Sequence, residues 1–185
     1  MTQEGFKRKL TAILSADAVG YSRLMIDDEA FTIQTLKSYR QIMTDIVRQN
    51  SGHVVDNPGD NMLAKFSSAL DAVQCAERIQ KKLKKENARF VEEKRLRFRI
   101  GVNIGDVVQD GDSIFGSGVN IAARIEGLSD PGGICISKNT YDHVKDKLDL
   151  GFEYLGEHEL KNINEPLGVY RVLMDTDSPK PLVKK

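Results

Sequence analysis

The stretch RFRIGVNI, at residues 97 to 104, carries the clearest structural signal in this sequence. Four apolar residues alternate there with four polar or small ones: Phe98, Ile100, Val102 and Ile104 alternate with Arg97, Arg99, Gly101 and Asn103. Successive side chains of a β-strand point to opposite faces, so this period of two predicts a half-buried strand. The strand should place one apolar face against a core.

Other strands are predicted on both sides of this stretch. The apolar run TAILSA at residues 11–16 predicts a buried strand, and DAVGYS at residues 17–22 predicts a loop that ends it. Residues 53–66 predict two strands joined by a tight turn at NPGD, residues 57–60, because Pro and Gly favour turns. Residues 105–112 predict a turn and a short returning strand.

Helices are predicted between the strands. Apolar residues recur at helical spacing over residues 28–49, 69–83 and 118–128, and a short helix is predicted at 139–147. Closing strands are predicted at 134–136, 152–160 and 168–172. Strands and helices alternate irregularly around at least one hairpin, which favours an α+β fold with a mixed or antiparallel sheet.

The composition excludes several classes of protein. The chain has 185 residues, a length typical of one domain with a short tail, and it carries 27 basic and 27 acidic residues. This balance favours neither nucleic acid nor an anionic membrane as a partner, and no apolar run is long enough to insert into a membrane. Cys75 and Cys135 lie in apolar stretches and predict buried thiols, which fits a cytoplasmic protein.

Two pairs of polar residues are candidates for chemistry. Asp17 and Asp60 are predicted near strand ends, where two carboxylates could bind magnesium, although each could equally satisfy a turn. Asn120 and Arg124 are four residues apart on one helix and would suit a ribose and a phosphate. The alternative is an exposed Arg124 paired with Glu126 or Asp130. No phosphate-binding GxxxxGK[ST] loop and no recognisable nucleophile motif occurs.

Five segments together resemble the class III adenylyl and guanylyl cyclases, bacterial branch. LSADAVGYS at 14–22 resembles the first metal motif, and PGDNMLAKF at 58–66 resembles the Gly-Asp hairpin. FRIGVNIG at 98–105, FGSGVNIAAR at 115–124 and LGEHELKNI at 155–163 follow in the family's order. The resemblance implies a ferredoxin-like α+β sandwich with a mixed, mainly antiparallel sheet covered by helices. It implies a cyclase domain at residues 9–173, an N-terminal extension at 1–8 and a polar tail or linker at 174–185.

The resemblance also implies roles for individual residues. Asp17, Asp60 and the backbone carbonyl of Ala18 match ligands of two Mg²⁺ or Mn²⁺ ions per site. Asn120 matches the residue that orients the ribose, and Arg124 the residue that meets the α-phosphate in the transition state. Family members work as head-to-tail dimers, so the resemblance implies a homodimer whose two sites each combine residues of both subunits. The expected product is a 3′,5′-cyclic nucleotide with pyrophosphate.

The nucleotide-binding positions complete this assignment. Lys161 matches a lysine that contacts the terminal phosphates of a purine nucleoside triphosphate. The positions that match base-reading residues of the family are Asp56 and Ser113. At the first position adenylyl cyclases typically have Lys and guanylyl cyclases Glu. At the second, adenylyl cyclases typically have Asp, Thr or Ser and guanylyl cyclases Cys. ATP and GTP both stay open as substrates. The alternative function is a weak or inactive cyclase-homology domain that binds nucleotide or regulates an attached module.

Overall fold

The computed structural model of the chain describes residues 6–56 and 59–174, without the side chains of Phe6 and Asp56. The predicted tail therefore lies outside the described residues except for Met174, as do Asn57 and Pro58 of the predicted turn. Residues 6 to 8, which we expected in the N-terminal extension, belong to the first strand.

Eight described strands form one mixed sheet in the order β2-β3-β1-β4-β6-β8-β7, with β5 paired to β4. The strands are β1 Phe6–Val19, β2 His53–Asp56, β3 Asn61–Phe66, β4 Arg97–Asp110, β5 Ser113–Phe115, β6 Ile134–Ser137, β7 Gly151–His158 and β8 Leu167–Leu173. The helices are α1 Tyr21–Asp27, α2 Glu29–Gln49, α3 Ala69–Asn87, α4 Ser117–Glu126 and α5 Lys138–Val144, with a 3₁₀ turn at Glu92–Lys94. Among these strands only β4 and β6 pair in parallel.

The centre of the sheet is the antiparallel pair β1 and β4, each 14 residues long. They pair over their whole length, from Phe6 opposite Asp110 to Val19 opposite Arg97. This long pairing explains two wrong predictions. Asp17 lies inside β1 rather than in a loop, and Gly105 lies inside β4 because the turn comes later, at Gly111. Pairing on both sides of β1 outweighs the local preference of Asp and Gly for turns.

One face of the sheet, here called the apolar face, is covered mainly by α2 and α3. The alternating apolar residues of β4 point to it, and they are fully buried or nearly so. Leu14 of β1 and Met43 of α2 belong to the same core cluster. This face confirms the strand that the period of two predicted.

The opposite face, here called the α4 face, is covered by α4 rather than by solvent. A Cβ on Gly101 would lie 2.4 Å from the backbone nitrogen of Glu126, so the helix contacts the strand backbone directly. Asn103, 2% exposed, donates from Nδ2 to the carbonyl oxygen of Gly118 at 3.1 Å. The expectation of a half-buried strand is therefore wrong for this stretch, because alternation reports only that the two faces differ and not that one is wet. The α+β sandwich with a mixed, mainly antiparallel sheet is confirmed.

Candidate active site

Asp17 lies on the α4 face of β1, near the end of the strand. Its pairing partners are Asn61 on β3 and Arg99 on β4. Asp60 directly precedes Asn61 in the turn between β2 and β3, so the β1–β3 register brings Asp60 beside Asp17. The sequence separates these two residues by 43 positions, and the sheet brings them together.

The carboxyl groups of Asp17 and Asp60 are close enough for Asp60 to influence the pKa of Asp17 both by its charge and by hydrogen bonding. Partial burial raises the pKa of Asp17 above its usual value, and the neighbouring charge of Asp60 raises this pKa further. Two adjacent carboxylates repel each other unless a proton or a cation lies between them. The pair is therefore suited to hold a cation.

Glu126, the last residue of α4, adds a third carboxyl group to this cluster. It is 9% exposed, and its Oε1 accepts a hydrogen bond from the Oγ of Ser15 at 3.2 Å. Burial, followed by the charge of Asp17, raises the pKa of Glu126 to about 7. Ser15 and Asp17 are two residues apart on β1, so both point to the face that α4 covers.

Arg99 supplies positive charge opposite Asp17. Its guanidinium lowers the pKa of Asp17 and also that of Glu126. Among the described residues its Nε is buried and has no hydrogen-bond partner. A buried donor without a partner is costly, so this side chain is suited to an anionic ligand.

The donor set fits a hard divalent cation that shares its ligands with a substrate. Mg²⁺ commonly binds one or two carboxylates together with phosphate oxygens and water. Asp17 and Asp60 provide two carboxylates, and Ala18 follows Asp17 in β1, opposite Phe98. Within the described ranges no group of three or more His, Cys, Asp or Glu side chains is arranged as a metal site. Two carboxylates leave coordination positions for phosphate oxygens and water, so the pair suits a site that a phosphate-bearing ligand completes.

Asn120 and Arg124 lie on the outer side of α4, and both are exposed. The buried side of the helix is formed by Gly118, Ala122, Ile125 and Glu126. The alternative partners of Arg124 are engaged elsewhere, since Glu126 contacts Ser15 and Asp130 lies 3.9 Å from Arg171. Neither Asn120 nor Arg124 is brought to the carboxylates of its own chain, and both are free to meet another molecule.

Lys161 is also remote from Asp17. It is exposed in the loop between β7 and β8, at the sheet edge formed by β7. Four inter-strand steps separate β7 from β1, which corresponds to roughly 19 Å between strand axes. One chain therefore presents two separate groups of predicted site residues.

The two predicted base-reading residues lie on elements that contact each other. Asp56 ends β2, and Ser113 begins β5, where it is exposed and pairs with Asp110. β5 folds back against β2. The side chain of Asp56 lies outside the described part of the chain, so the structure brings only the two backbone segments together.

Sequence reasoning missed Arg99 and Glu126. The alternation places Arg99 on the polar side of a half-buried strand, and the sequence suggested Glu126 only as a partner of an exposed Arg124. A signal for Glu126 was present in the small residues Gly118 and Ala122, which precede it at intervals of four on α4. Small residues at that spacing allow a helix to lie close to a neighbouring backbone, and Glu126 continues the same row toward the sheet.

A groove on the molecule lies away from the candidate residues. A groove of about 1170 Å³ lies around α3, between residues of α2, α3 and the loops near Arg95 and Gly132. None of the candidate residues lines this groove. No helix in the described part of the chain combines the length and the apolar character needed to cross a bilayer.

Comparison with known proteins assigns a family to this arrangement. The family model described as the adenylate and guanylate cyclase catalytic domain matches residues 7–173. The protein named "Putative adenylate cyclase 3" of Rhizobium meliloti (strain 1021) is 41% identical over 181 residues, which cover 97% of this chain. The chain spans only 30% of that relative's length.

Two solved structures are similar to the whole described fold. The adenylate/guanylate cyclase/hydrolase from Silicibacter pomeroyi has a TM-score of 0.86 and 39% identity, covering 92% of this chain and 99% of that one. The adenylyl cyclase CyaB from P. aeruginosa has a TM-score of 0.80 and 26% identity, covering 96% and 99% of the two chains.

Proposed function

The chain belongs to the adenylate and guanylate cyclase catalytic domain family, and from this premise we propose that it converts ATP or GTP into the 3′,5′-cyclic nucleotide and pyrophosphate in a metal-dependent reaction. The observation that carries the proposal is the meeting of the Asp17 and Asp60 carboxyl groups on the α4 face of the sheet. Two neighbouring acids, of which Asp17 has a raised pKa, lie beside a buried Arg99 Nε that has no partner among the described residues, and this arrangement suits a cation and a polyphosphate together.

In the proposed reaction the 3′-oxygen of the ribose attacks the α-phosphorus. A new 3′-O–P bond forms, the bond from the α-phosphorus to the β-bridging oxygen breaks, pyrophosphate leaves, and the hydroxyl proton passes to solvent. Mg²⁺ or Mn²⁺, held by Asp17, Asp60 and the carbonyl of Ala18, would lower the pKa of the 3′-hydroxyl and neutralise phosphate charge. No covalent enzyme intermediate is required.

The other residues of the chain bind and orient the substrate in this proposal. Arg99 is next to the acids and would bind phosphate oxygens there. Asn120 would orient the ribose. Arg124 would stabilise the negative charge that develops on the α-phosphate in the transition state, and one well-placed donor of this kind lowers the activation free energy by about 2.7–4 kcal/mol in other enzymes. Lys161 would contact the terminal phosphates.

The placement of these residues supports a homodimeric site. Asn120 and Arg124 face away from the carboxylates of their own chain. Lys161 lies beside β7, four inter-strand steps from the strand that carries Asp17. A second copy related by a two-fold axis would bring these residues to the first copy's acids and would create two equivalent sites. Exposed Phe115, at the end of β5 and close to α4, supports an apolar contact at that interface.

Asp56 and Ser113 support guanine as the preferred base, or poor discrimination. Guanine presents N1–H and a 2-amino group on one edge, and a carboxylate accepts from both donors. Adenine has an unprotonated N1, which would face the carboxylate with a second acceptor, a mismatch of about 1–3 kcal/mol. The Ser113 hydroxyl donates or accepts by rotation, so it tolerates either base.

The test is an assay of the purified chain with ATP and GTP at equal concentration and Mn²⁺, with products separated by chromatography and identified by mass. We expect cyclic nucleotide and pyrophosphate in equal amounts, with cyclic GMP at least equal to cyclic AMP. Strong cyclic AMP formation alone would show that Asp56 does not read the base. Binding of nucleotide without any product would favour the alternative, a regulatory cyclase-homology domain.

A further inference from the structure

Glu126 connects the two parts of the α4 face that the proposed reaction uses. It ends the helix that carries Asn120 and Arg124, two residues after Arg124. Its own side chain turns the other way, toward β1, where it contacts Ser15 and Asp17. Glu126 is not among the residues that hold the metal or contact the nucleotide in the proposed reaction.

The geometry allows Glu126 little freedom. The side chain is 9% exposed and the Oγ of Ser15 lies 3.2 Å from its Oε1. The backbone of Glu126 is fixed as well, because its nitrogen and Cα lie 2.4 and 2.7 Å from the position that a Cβ on Gly101 would take. Only glycine at position 101 permits this approach, so the end of α4 is held directly against β4.

Asp17 interacts with three charged side chains among the described residues: Asp60, Arg99 and Glu126. Asp60 lies in the turn between β2 and β3, directly before Asn61, which pairs with Asp17. The Arg99 guanidinium influences Asp17 through its charge. Glu126 is thus the contact of Asp17 that is anchored at both its backbone and its side chain.

We propose that Glu126 is a positioning residue that holds the Asp17 carboxylate in the orientation needed to bind the metal ion. The inference rests on the proposed function, because it assumes that Asp17 is a metal ligand. Groups that orient a ligand through a hydrogen bond are commonly worth 10–100-fold in metal affinity. Glu126 would act through Asp17, without contacting the metal or the nucleotide.

Three substitutions at this position separate geometry from charge. Glu126→Gln keeps the length, an acceptor for Ser15 and a group that can hydrogen-bond to Asp17. Glu126→Asp keeps the charge but shortens the side chain by one methylene. Glu126→Ala removes both contacts. A matched control is Glu77→Ala, which removes a partly buried glutamate that pairs with Lys81 on α3 at 2.9 Å.

The experiment measures Mn²⁺ binding to the full chain by electron paramagnetic resonance, without nucleotide, so that turnover does not enter. We expect the dissociation constant to rise about tenfold or more in the Ala and Asp variants, and to stay within about threefold in the Gln and Glu77→Ala variants. Thermal unfolding of the metal-free proteins checks that each variant is folded. If the Ala variant does not fold, the contrast between Gln and Asp decides the question.

Unchanged binding in the Ala and Asp variants would overturn the inference while leaving the proposed function intact. A loss in the Gln variant as large as that in the Asp variant, or larger, would overturn it too, since Glu126 would then act as a metal ligand or through its charge. A wild-type chain that binds no Mn²⁺, with or without a non-reacting nucleotide analogue, would contradict the proposed function itself. These results are therefore distinguishable.

Discussion

The two faces of the central sheet are built from the same strands but carry different side chains around Asp17. On the apolar face, alternate residues of β1 and β4 such as Leu14 and Ile100 are fully buried under α2 and α3. On the α4 face Ile13 is buried as well, but the next positions on β1 are Ser15 and Asp17, with Arg99 opposite Asp17 on β4. The apolar face holds the fold together, and the α4 face carries polar groups that the fold alone does not require.

This difference explains where stability and chemistry reside. Burying a carboxyl group is unfavourable unless it is compensated, and three acids meet on the α4 face. The apolar face gains free energy from each buried methylene, so it can offset that cost. Substitution of the acids on the α4 face should therefore lower activity, and substitution of core residues on the apolar face should lower the free energy of unfolding.

The largest expected effect is on activity, from Asp17→Asn or Asp60→Asn. Either change removes one of two carboxylates from the proposed metal site and should lower kcat/KM about a thousandfold or more. Replacing one acid also relieves the repulsion between the pair, so the free energy of unfolding without metal should stay equal or rise. Cyclase assays and urea unfolding check both parts. A variant that is fully active, or inactive only because it is unfolded, would contradict the prediction that these acids serve activity and not stability.

The matching change on the apolar face is Ile100→Ala. Ile100 is fully buried, and loss of its side chain should lower the free energy of unfolding by about 2–5 kcal/mol. At temperatures where the variant is folded, its metal binding should match that of the wild type. Urea unfolding and Mn²⁺ titration measure the two quantities. A loss of metal affinity without a loss of stability would contradict the assignment of stability to the apolar face and of metal binding to the α4 face.

Gly101→Ala acts where the backbone of β4 contacts α4. The added Cβ would lie 2.4 to 2.7 Å from backbone atoms of Ala122 and Glu126, so the helix must move. We expect a loss of about 3 kcal/mol in stability together with weaker metal binding. Gly105→Ala is the control in the same strand, because its nearest neighbours are 3.2 and 3.5 Å away. Equal behaviour of the two variants would show that close approach at Gly101 is unimportant.

The smallest predicted effect is a pH dependence from Glu126. Its pKa is raised from 4.5 to about 7, so between these values the folded chain holds a proton that the unfolded chain has lost. Stability without metal should therefore fall as pH rises through this window. Glu126→Gln removes this dependence, so relative to wild type it should gain about 2 kcal/mol between pH 5 and pH 8. Urea unfolding in a chelator at the two pH values measures the difference, and a constant difference would contradict the assignment.

The sequence predicted the apolar face well and the α4 face poorly, for physical reasons. Period-two alternation reports which residues avoid water, so Phe98 to Ile104 and the helices that cover them were predictable. The same pattern does not report what covers the polar side of β4. It therefore predicts exposed positions at Gly101 and Asn103, although both are buried. Asp17 was taken as a loop residue because propensity is local, whereas β1 is fixed by pairing with β3 and β4.

The sequence predicted which residues form the candidate site but not which of them contact each other. Resemblance to the family pointed to Asp17, Asp60, Asn120 and Arg124, and the structure brings the two acids together and turns the other two residues outward. Arg99 and Glu126 join the cluster only through strand register and helix packing. Contacts between residues this far apart in sequence depend on tertiary structure, which a local pattern does not contain.

The most direct test of the account is to combine two inactive chains in one dimer. Asp17→Asn and Arg124→Ala should each inactivate the homodimer, the second by about 10²–10³-fold. In a heterodimer purified through two different tags, one site unites the intact Asp17 of one chain with the intact Arg124 of the other. The account predicts about half of the wild-type cyclase activity per dimer. A confirmed heterodimer no more active than either parent homodimer would contradict a site divided between two copies of this chain.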